Sequence, residues 1–271
     1  MKDDLKISNQ EFAAFKTLIR ELTGIKLADS KTTFVIARLA SRVRQLGLPN
    51  FSEYIHHLSS NSSASEIEFF IDKMTTNETY FFREDDHFDF LYCVAFFKKK
   101  NINPVRVWSC ACSSGDEPYT IAMLCEEFIK IHQGFRYQIL ASDISKTILS
   151  KAQLGLYSEE SLRKTPEKFK AQYFKKREDN QWELVEKIKK AVTFRRINLF
   201  LDNFPLKSPL DIIFCRNVMI YFDTETREKI IDKLHQSLDK DGYLFLGHSE
   251  GMISHEKFKQ IHHGVFQKRA A

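Results

Sequence analysis

Apolar residues in the first part of the chain recur at the spacing of a helix face. Ser8 and Glu11 form a capping-box pair, Phe12, Phe15, Leu18, Ile19 and Leu22 follow, and Gly24 supplies a stop. A second helix is predicted from Asp29 or Ser30 to Leu46, with Phe34, Leu39, Val43 and Leu46 on its apolar side. A third is predicted from Ser52, carrying Tyr54, Ile55 and Leu58. The polar run from Ser59 to Ser65 predicts a loop, and Ile67, Phe70, Ile71 and Met74 predict a fourth helix. Residues 1–74 therefore read as an all-α domain of short amphipathic helices.

Near Asn103 the period changes. Pro104 to Trp108, Tyr137 to Asp143, Leu210 to Cys215 and Tyr243 to Gly247 are short β runs, and helical stretches stand between them. The helices include one through Phe128, one opening with Thr147, Ile148 and Ala152, and one capped by Asp223 with Ile230, Ile231, Leu234 and Leu238. His263-Gly264 predicts the turn of a final hairpin. Strands alternating with helices predict an α/β domain over residues 75–271, with a mostly parallel sheet covered on both faces. Residues 156–193 interrupt the rhythm with short alternating stretches such as Trp182 to Val185, which predict a small antiparallel insertion.

Composition narrows the class. The chain has 271 residues, 43% hydrophobic and 28% charged, which excludes collagenous, low-complexity and wholly disordered proteins. A net charge of +5 is too small to argue for nucleic acid. Lys168 to Arg196 holds ten basic and four acidic residues, so the whole excess lies in the insertion region. Phe is used 24 times, which predicts a core rich in rings. The longest apolar run, Leu91 to Phe97, is far short of the ~20 residues of a membrane span, and Met1 to Asp4 has no signal core. The five Cys are odd in number with no C-x-x-C pair, and read as reduced thiols of a cytoplasmic protein. Cys110-x-Cys112 lacks a matching His/Cys pair at ligand spacing, so no metal site is expected.

Open α/β sheets bind ligands beyond the carboxyl ends of their strands. Here those ends are Ser113 to Pro118, Asp143, and Arg216-Asn217. The first turn has one glycine, Gly115, instead of the three of a dinucleotide fingerprint. Asp116 and Glu117 would repel a diphosphate there and tolerate a cationic nucleoside. Asp143 suits a ribose ligand; the alternative is a plain cap for the helix segment beginning at Ser145. S-adenosylmethionine (SAM) has a ribose, an adenine, two cationic centres and no phosphate. The segment Thr75 to Glu84 sets polar residues beside three aromatics and Arg83, which is less plain than a linker between two domains should be; the alternative is an aromatic staple between the domains with Arg83 in a surface ion pair.

These stretches carry a resemblance. Thr75 to Glu84, Trp108 to Met123, Ala141 to Asp143, Phe214 to Phe222 and Gly247 to Glu250 closely resemble the CheR-type chemotaxis receptor methyltransferases, in the same order over nearly the whole chain. The resemblance implies an all-α N-terminal domain followed by a Rossmann-like SAM-dependent methyltransferase domain with a small antiparallel β-subdomain. It implies methyl transfer from SAM to receptor glutamates, leaving S-adenosylhomocysteine. By motif, Asn77, Thr79 and Arg83 close over the cofactor from the linker side, and Glu117 lies near its amino-acid portion. The resemblance further implies that Asp143 holds the ribose, that Asn198 and Leu199 flank the adenine, and that Arg216 and Asn217 lie beneath the sulfonium. Arg83 and Tyr221 are implied nearest the transferred methyl. Cys110 replaces the Ala usual in the family, within a strand.

A glutamate, with a reference pKa of ~4.3, is already a carboxylate at neutral pH. No general base is needed, and none stands out; His248 reads as a hydrogen-bonding residue. Lys31, Arg38 and Arg42 lie on one face of the second helix with no acid from Lys31 to Ser52, either a solvated face or a dock for the Glu-rich receptor helix. Some family members bind a pentapeptide tether through a glycine-containing turn of the subdomain. Lys175 to Asn180 has no glycine, so tether-independent binding is expected. Two other classes compete. A nucleic-acid methyltransferase would show (D/N)PP(Y/F), and this chain has no Pro-Pro pair. A non-catalytic SAM-binding scaffold would be expected to have lost one of the motifs, and all are intact.

Overall fold

The computed structural model describes residues 5–60, 64–102, 104–206, 209–250 and 256–269. Met1 to Asp4, Asn103 and the middle of the expected loop at 59–65 lie outside them. The chain divides into two compact units, one of Met1–Thr76 with Tyr221–Thr226, the other of Asn77–Ile220 with Arg227–Ala271.

The first unit is helical. Helix α1 (Asn9–Thr23) starts on the expected capping box and stops at Gly24, which takes a φ of 76° that a side chain resists. Helix α2 (Thr32–Gln45) follows a 3-10 turn at Asp29–Lys31. Its buried stripe is Val35, Leu39, Ala40 and Val43; Phe34, expected inward, is half-buried under Arg38 and Lys31. Helix α3 (Phe51–Ser60) begins a residue before Ser52, because the Asn50 side chain accepts from the Glu53 N–H at 2.9 Å. Ser59 and Ser60 continue α3, and Ala64 and Ser65 open α4 (Ala64–Met74). Phe15 packs edge-on to Phe51 and stacks on Phe70, with centroids 5.9 and 6.0 Å apart.

One expectation is corrected here. Arg42 is not a free docking cation. Its guanidinium grips the Glu66 carboxylate through Nε at 3.1 Å and through Nη2, and lies 4.6 Å from the Phe69 ring. Glu66 is buried and also accepts from the Tyr54 hydroxyl at 2.8 Å. The acid missing from α2 itself comes from α4.

The second unit opens with helix α5 (Asp85–Phe90), a π turn (Leu91–Ala95) and α6 (Phe96–Lys99). Strand β1 (Val105–Cys110), helix α7 (Asp116–Ile131), strand β2 (Tyr137–Asp143) and helix α8 (Lys146–Leu154) follow. Then come β3 (Leu156–Tyr157), α9 (Glu167–Tyr173), β4 (Phe174–Lys176), β5 (Trp182–Leu184), α10 (Glu186–Lys190) and β6 (Val192–Arg196). The chain finishes with β7 (Leu210–Phe214), α11 (Thr224–Ser237), β8 (Leu238–Phe245), β9 (Phe258–His262) and β10 (Val265–Lys268).

The main sheet has the order β6-β2-β1-β7-β8-β10-β9. Pairs from β6 to β8 are parallel and the terminal hairpin is antiparallel. The order reverses at β1, so the crevice over β1 and β7 is where a ligand belongs in this Rossmann-like sheet. Strand β7 is buried throughout, and Phe214 stacks on Phe245 of β8 with centroids 4.2 Å apart. Burying each such ring contributes about 1.5–3 kcal/mol.

The insertion forms a separate antiparallel sheet, β3-β5-β4. Val192 and Thr193, placed in the insertion by the sequence reading, belong to β6 and pair with Ile139 and Leu140 of the main sheet. The insertion is held to α7 by Glu127, which accepts from Tyr173 at 2.7 Å, Gln172 at 2.8 Å and Lys168 at 2.9 Å. Among the described residues no helix is long and apolar enough to cross a membrane, and Cys93, Cys110, Cys112, Cys125 and Cys215 are all free thiols.

Candidate active site

Backbone conformation marks the site first. Ala111, Ser113 and Gly115 in the turn after β1 have φ of 61°, 50° and 91°. Phe82 and Glu84 in the preceding segment have φ of 56° and 57°, and Asn217 after β7 has 58°. Left-handed non-glycine residues cost energy and gather where a site demands an exact chain path. Gly115 has no such choice, since a Cβ there would stand 3.0 Å from Ala152 and from the Tyr119 ring.

At the tip of β2, Asp143 is buried, and its two oxygens accept from the Ser113 N–H at 2.9 Å and the Ser145 N–H at 3.0 Å. The cap of α8 is Ser145 itself, whose side chain accepts from Ile148. Asp143 thus ties the β1 turn to the β2 tip and sets its carboxylate where Rossmann-like sheets keep their ribose acid. The Ser113 hydroxyl donates to the Asn77 carbonyl at 2.9 Å, which brings the strap of residues 77–84 onto the same turn. Phe81 packs edge-on to Tyr157 and Phe174, and Phe82 to Phe88 and Phe169, so the aromatics fasten the strap to the insertion and α5. Thr79 is half-buried. Arg83 has its guanidinium on the Glu78 carbonyl at 2.9 Å, in place of the ion pair a staple would have used.

Arg216 is the centre of a buried network. Its guanidinium reaches Glu84 at 2.9 Å and Glu117 at 3.2 Å, donates to the Arg83 carbonyl, and lies 5.3 Å from the Phe88 ring. Glu117 also accepts from Ser109 at 2.6 Å, and Asn217 donates to Glu84 at 3.0 Å. Burial pushes the Glu84 carboxyl up, but Arg216 and Asn217 more than reverse this and hold it at about 2. For Glu117 burial wins and the carboxyl is raised. Arg216 and Asn217, expected beneath the cofactor, thus hold the strap and the β7 tip together. Glu84 joins them and was missed, because nothing local distinguishes it from its neighbours Asp85 and Asp86. Glu250 was missed too; it receives the N–H groups of Asn217 and Gly247 at 2.7 and 2.8 Å.

Asn198 accepts from the Phe200 N–H at 3.0 Å, and Leu199 is buried just beyond β6. Tyr221 belongs to the helical unit, where its carbonyl accepts from the Lys26 N–H at 2.8 Å. His248 bonds Asp86 at 3.0 Å, the structural part expected of it.

Asp116, at the start of α7, is fully buried, and among the described residues its Oδ1 has no hydrogen-bond partner while Oδ2 accepts from Ser114 at 2.6 Å. Burial raises its carboxyl from 3.8 to about 6. A raised folded pKa favours the protonated form, so this stability is complete below pH 3.8 and is lost as pH climbs through 6. Urea unfolding at pH 4 to 7 should show wild type losing about 2 kcal/mol relative to Asp116→Asn over that window. Parallel pH profiles for the two proteins would refute the assignment.

The donor set fits SAM. Asp116, Glu117, Asp143 and Glu84 against Arg83 and Arg216 leave an acidic balance at the strand tips. The turn lacks the glycines that cradle a pyrophosphate. A cationic nucleoside suits both facts.

Comparison with known proteins agrees. The family model "CheR methyltransferase, SAM binding domain" matches residues 77–266, and "CheR methyltransferase, all-alpha domain" matches residues 10–75. A chemotaxis protein methyltransferase of Borreliella burgdorferi is 37% identical, covering 98% of this chain and 96% of that protein. One from Escherichia coli is 39% identical, covering 95% and 90%, and Cher2 of Pseudomonas putida is 32% identical, covering 96% and 98%. Both domains are matched in order and over most of their length, and the chain belongs to the CheR methyltransferase family of SAM-dependent enzymes.

Proposed function

We propose that this protein methylates glutamate side chains on the cytoplasmic helices of chemoreceptors, in the cytoplasm, giving methyl esters. The observation that carries the reading is the acidic, glycine-poor crevice at the β1–β7 switch, with Asp143 at its edge. SAM, when bound, supplies an activated methyl group on a sulfonium. Asp143 holds the ribose, Asn198 and Leu199 flank the adenine, and Asn77 and Thr79 close the strap side. Glu117 faces the amino-acid portion. Arg216 and Asn217 act as positioning residues through Glu84.

The acceptor carboxylate needs no base, so the chain's work is to orient it and exclude water. Arg83, tied at one corner to Glu78, offers a single contact. A two-pronged clamp would stabilise the ground state and slow the reaction. Tyr221 is the second residue proposed on the methyl side, on the strength of the FCRNVMIYF motif.

For receptor docking the basic face reduces to Arg38 of α2 and Lys31 of the 3-10 turn before it, both exposed. The absence of glycine at Lys175 to Asn180 supports tether-independent binding, although Asn180 adopts the left-handed φ of 60° that glycine would otherwise supply.

One assay addresses all of this: labelled SAM with a panel of receptor cytoplasmic fragments, with and without their C-terminal pentapeptide, and with nucleic acid as a further arm. Label should enter receptor fragments as base-labile ester, equally with and without the tail. Lys31→Glu with Arg38→Glu should cut the rate about 5–30-fold, the equivalent of about 1–2 kcal/mol, at unchanged SAM affinity. Label on nucleic acid alone would reject the receptor reading. An unaltered rate in the double variant would reject the docking face.

A further inference from the structure

Outside the crevice, the fold gathers a second group of chemistry-bearing side chains. Asp86 comes from α5, His248 from the turn after β8, and His262 and His263 from the end of β9 and the hairpin turn. His248 Nε2 lies 3.0 Å from Asp86 Oδ1, and His262 Nδ1 lies 3.8 Å from Asp86 Oδ2. The His248 and His263 rings are 4.6 Å apart. One donor atom each from Asp86, His248 and His263 falls within 4.8 Å of the others. The side chains of Asp86, His248 and His262 are 37%, 37% and 40% exposed, so an ion has a path in from solvent.

The surroundings hold the set in place. His87 is fully buried beneath His248, and its Nε2 meets the His263 carbonyl at 2.9 Å, which anchors the hairpin turn. Gly264 allows that approach, because a Cβ there would stand 2.6 Å from the Leu246 carbonyl oxygen. A second trio, Glu84, His87 and His248, is equally close. It is a poor cation site, because Glu84 already holds the Arg216 guanidinium at 2.9 Å.

We infer that Asp86, His248 and His263 form a binding site for a divalent transition-metal ion of the zinc type. Two imidazoles and one carboxylate are its usual donors, whereas magnesium and calcium take oxygen throughout. Tetrahedral ligands at ~2.1 Å stand about 3.4 Å apart. The Asp86–His248 pair, 3.0 Å apart, lies within about 0.4 Å of that spacing, and the His263 donor, within 4.8 Å of both, has to move inward to complete it. The fourth position falls to His262 or to water. Bound there, the ion joins the hairpin turn, the β8 tip and the start of α5, and so braces the segment that carries Glu84.

The test uses the full chain, stripped with a chelator and dialysed. Zn2+ titrated against a chromophoric competitor should saturate at one ion per chain, and Co2+ should develop the visible absorption of a tetrahedral site. Zn2+ should raise the thermal midpoint of the wild type. His263→Ala and Asp86→Asn should each weaken binding by at least about tenfold and abolish the midpoint rise, since each removes one of three ligands. His263→Gln provides a second variant if His263→Ala does not fold, and His56→Ala should bind as wild type. Absence of saturable binding in the wild type, or wild-type affinity in a folded His263 variant, would overturn the site.

Discussion

Arg216→Met should lower the unfolding free energy by about 3–5 kcal/mol and abolish methyl transfer. The guanidinium side chain is 2% exposed and lies between Glu84 and Glu117, each 14% exposed. Without it two carboxylates face each other out of water, and the largest of the forces that hold the Glu84 carboxyl at about 2 disappears. The backbone bears the consequence, since Glu84 sits at a φ of 57° and Asn217 at 58°. Urea titration followed by Trp108 and Trp182 fluorescence measures the loss. Glu84→Gln combined with Arg216→Met should cost less than the sum of the single changes, because one replacement removes the charge that the other leaves unpaired. A loss below about 1 kcal/mol would show that the network is not what holds the strap.

The second large effect concerns the cofactor. Asp143→Ala should weaken SAM and S-adenosylhomocysteine binding about 30–150-fold, the equivalent of about 2–3 kcal/mol for hydrogen bonds to a charged acceptor. It also leaves the Ser113 and Ser145 N–H groups without their acceptor, so the β1 turn loses its tie to β2. Asp143→Asn separates the two contributions. It keeps an oxygen for one N–H and should retain more of the fold than of the affinity. Calorimetric titration with S-adenosylhomocysteine is the measurement, and unchanged affinity in a folded Asp143→Ala protein would remove Asp143 from the ribose.

The linear pattern carried local structure well. Ser8, Glu11 and Gly24 mark the ends of α1 as expected, and Tyr137 to Asp143 is β2 to the residue. The ring-rich core appears as stacked Phe214 and Phe245. These features depend on neighbours within a turn or a pleat, so periodicity, capping and turn residues report them directly. The positions of the strand tips were also legible, because the α/β alternation tells which loops lie at the carboxyl ends of the strands.

Contacts between distant positions were not legible. Arg42 reads as a free cation until α4 brings Glu66 to it, 24 residues away. Glu84 reads as one acid among several until β7 sets Arg216 beside it, 132 residues on. Val192 and Thr193 continue an insertion on paper and an edge strand in space. The histidines beside Asp86 had no ligand spacing to betray them, since Asp86 and His248 are 162 positions apart. By itself, then, the sequence determined the helices, the strands, the α/β class and the family motifs, all encoded by residues close along the chain. The tertiary structure alone decided the strand order, the partners of Arg42 and Arg216, and the convergence of Asp86 with His248 and His263. Such pairings are chosen by how the chain closes on itself, and no local period records that.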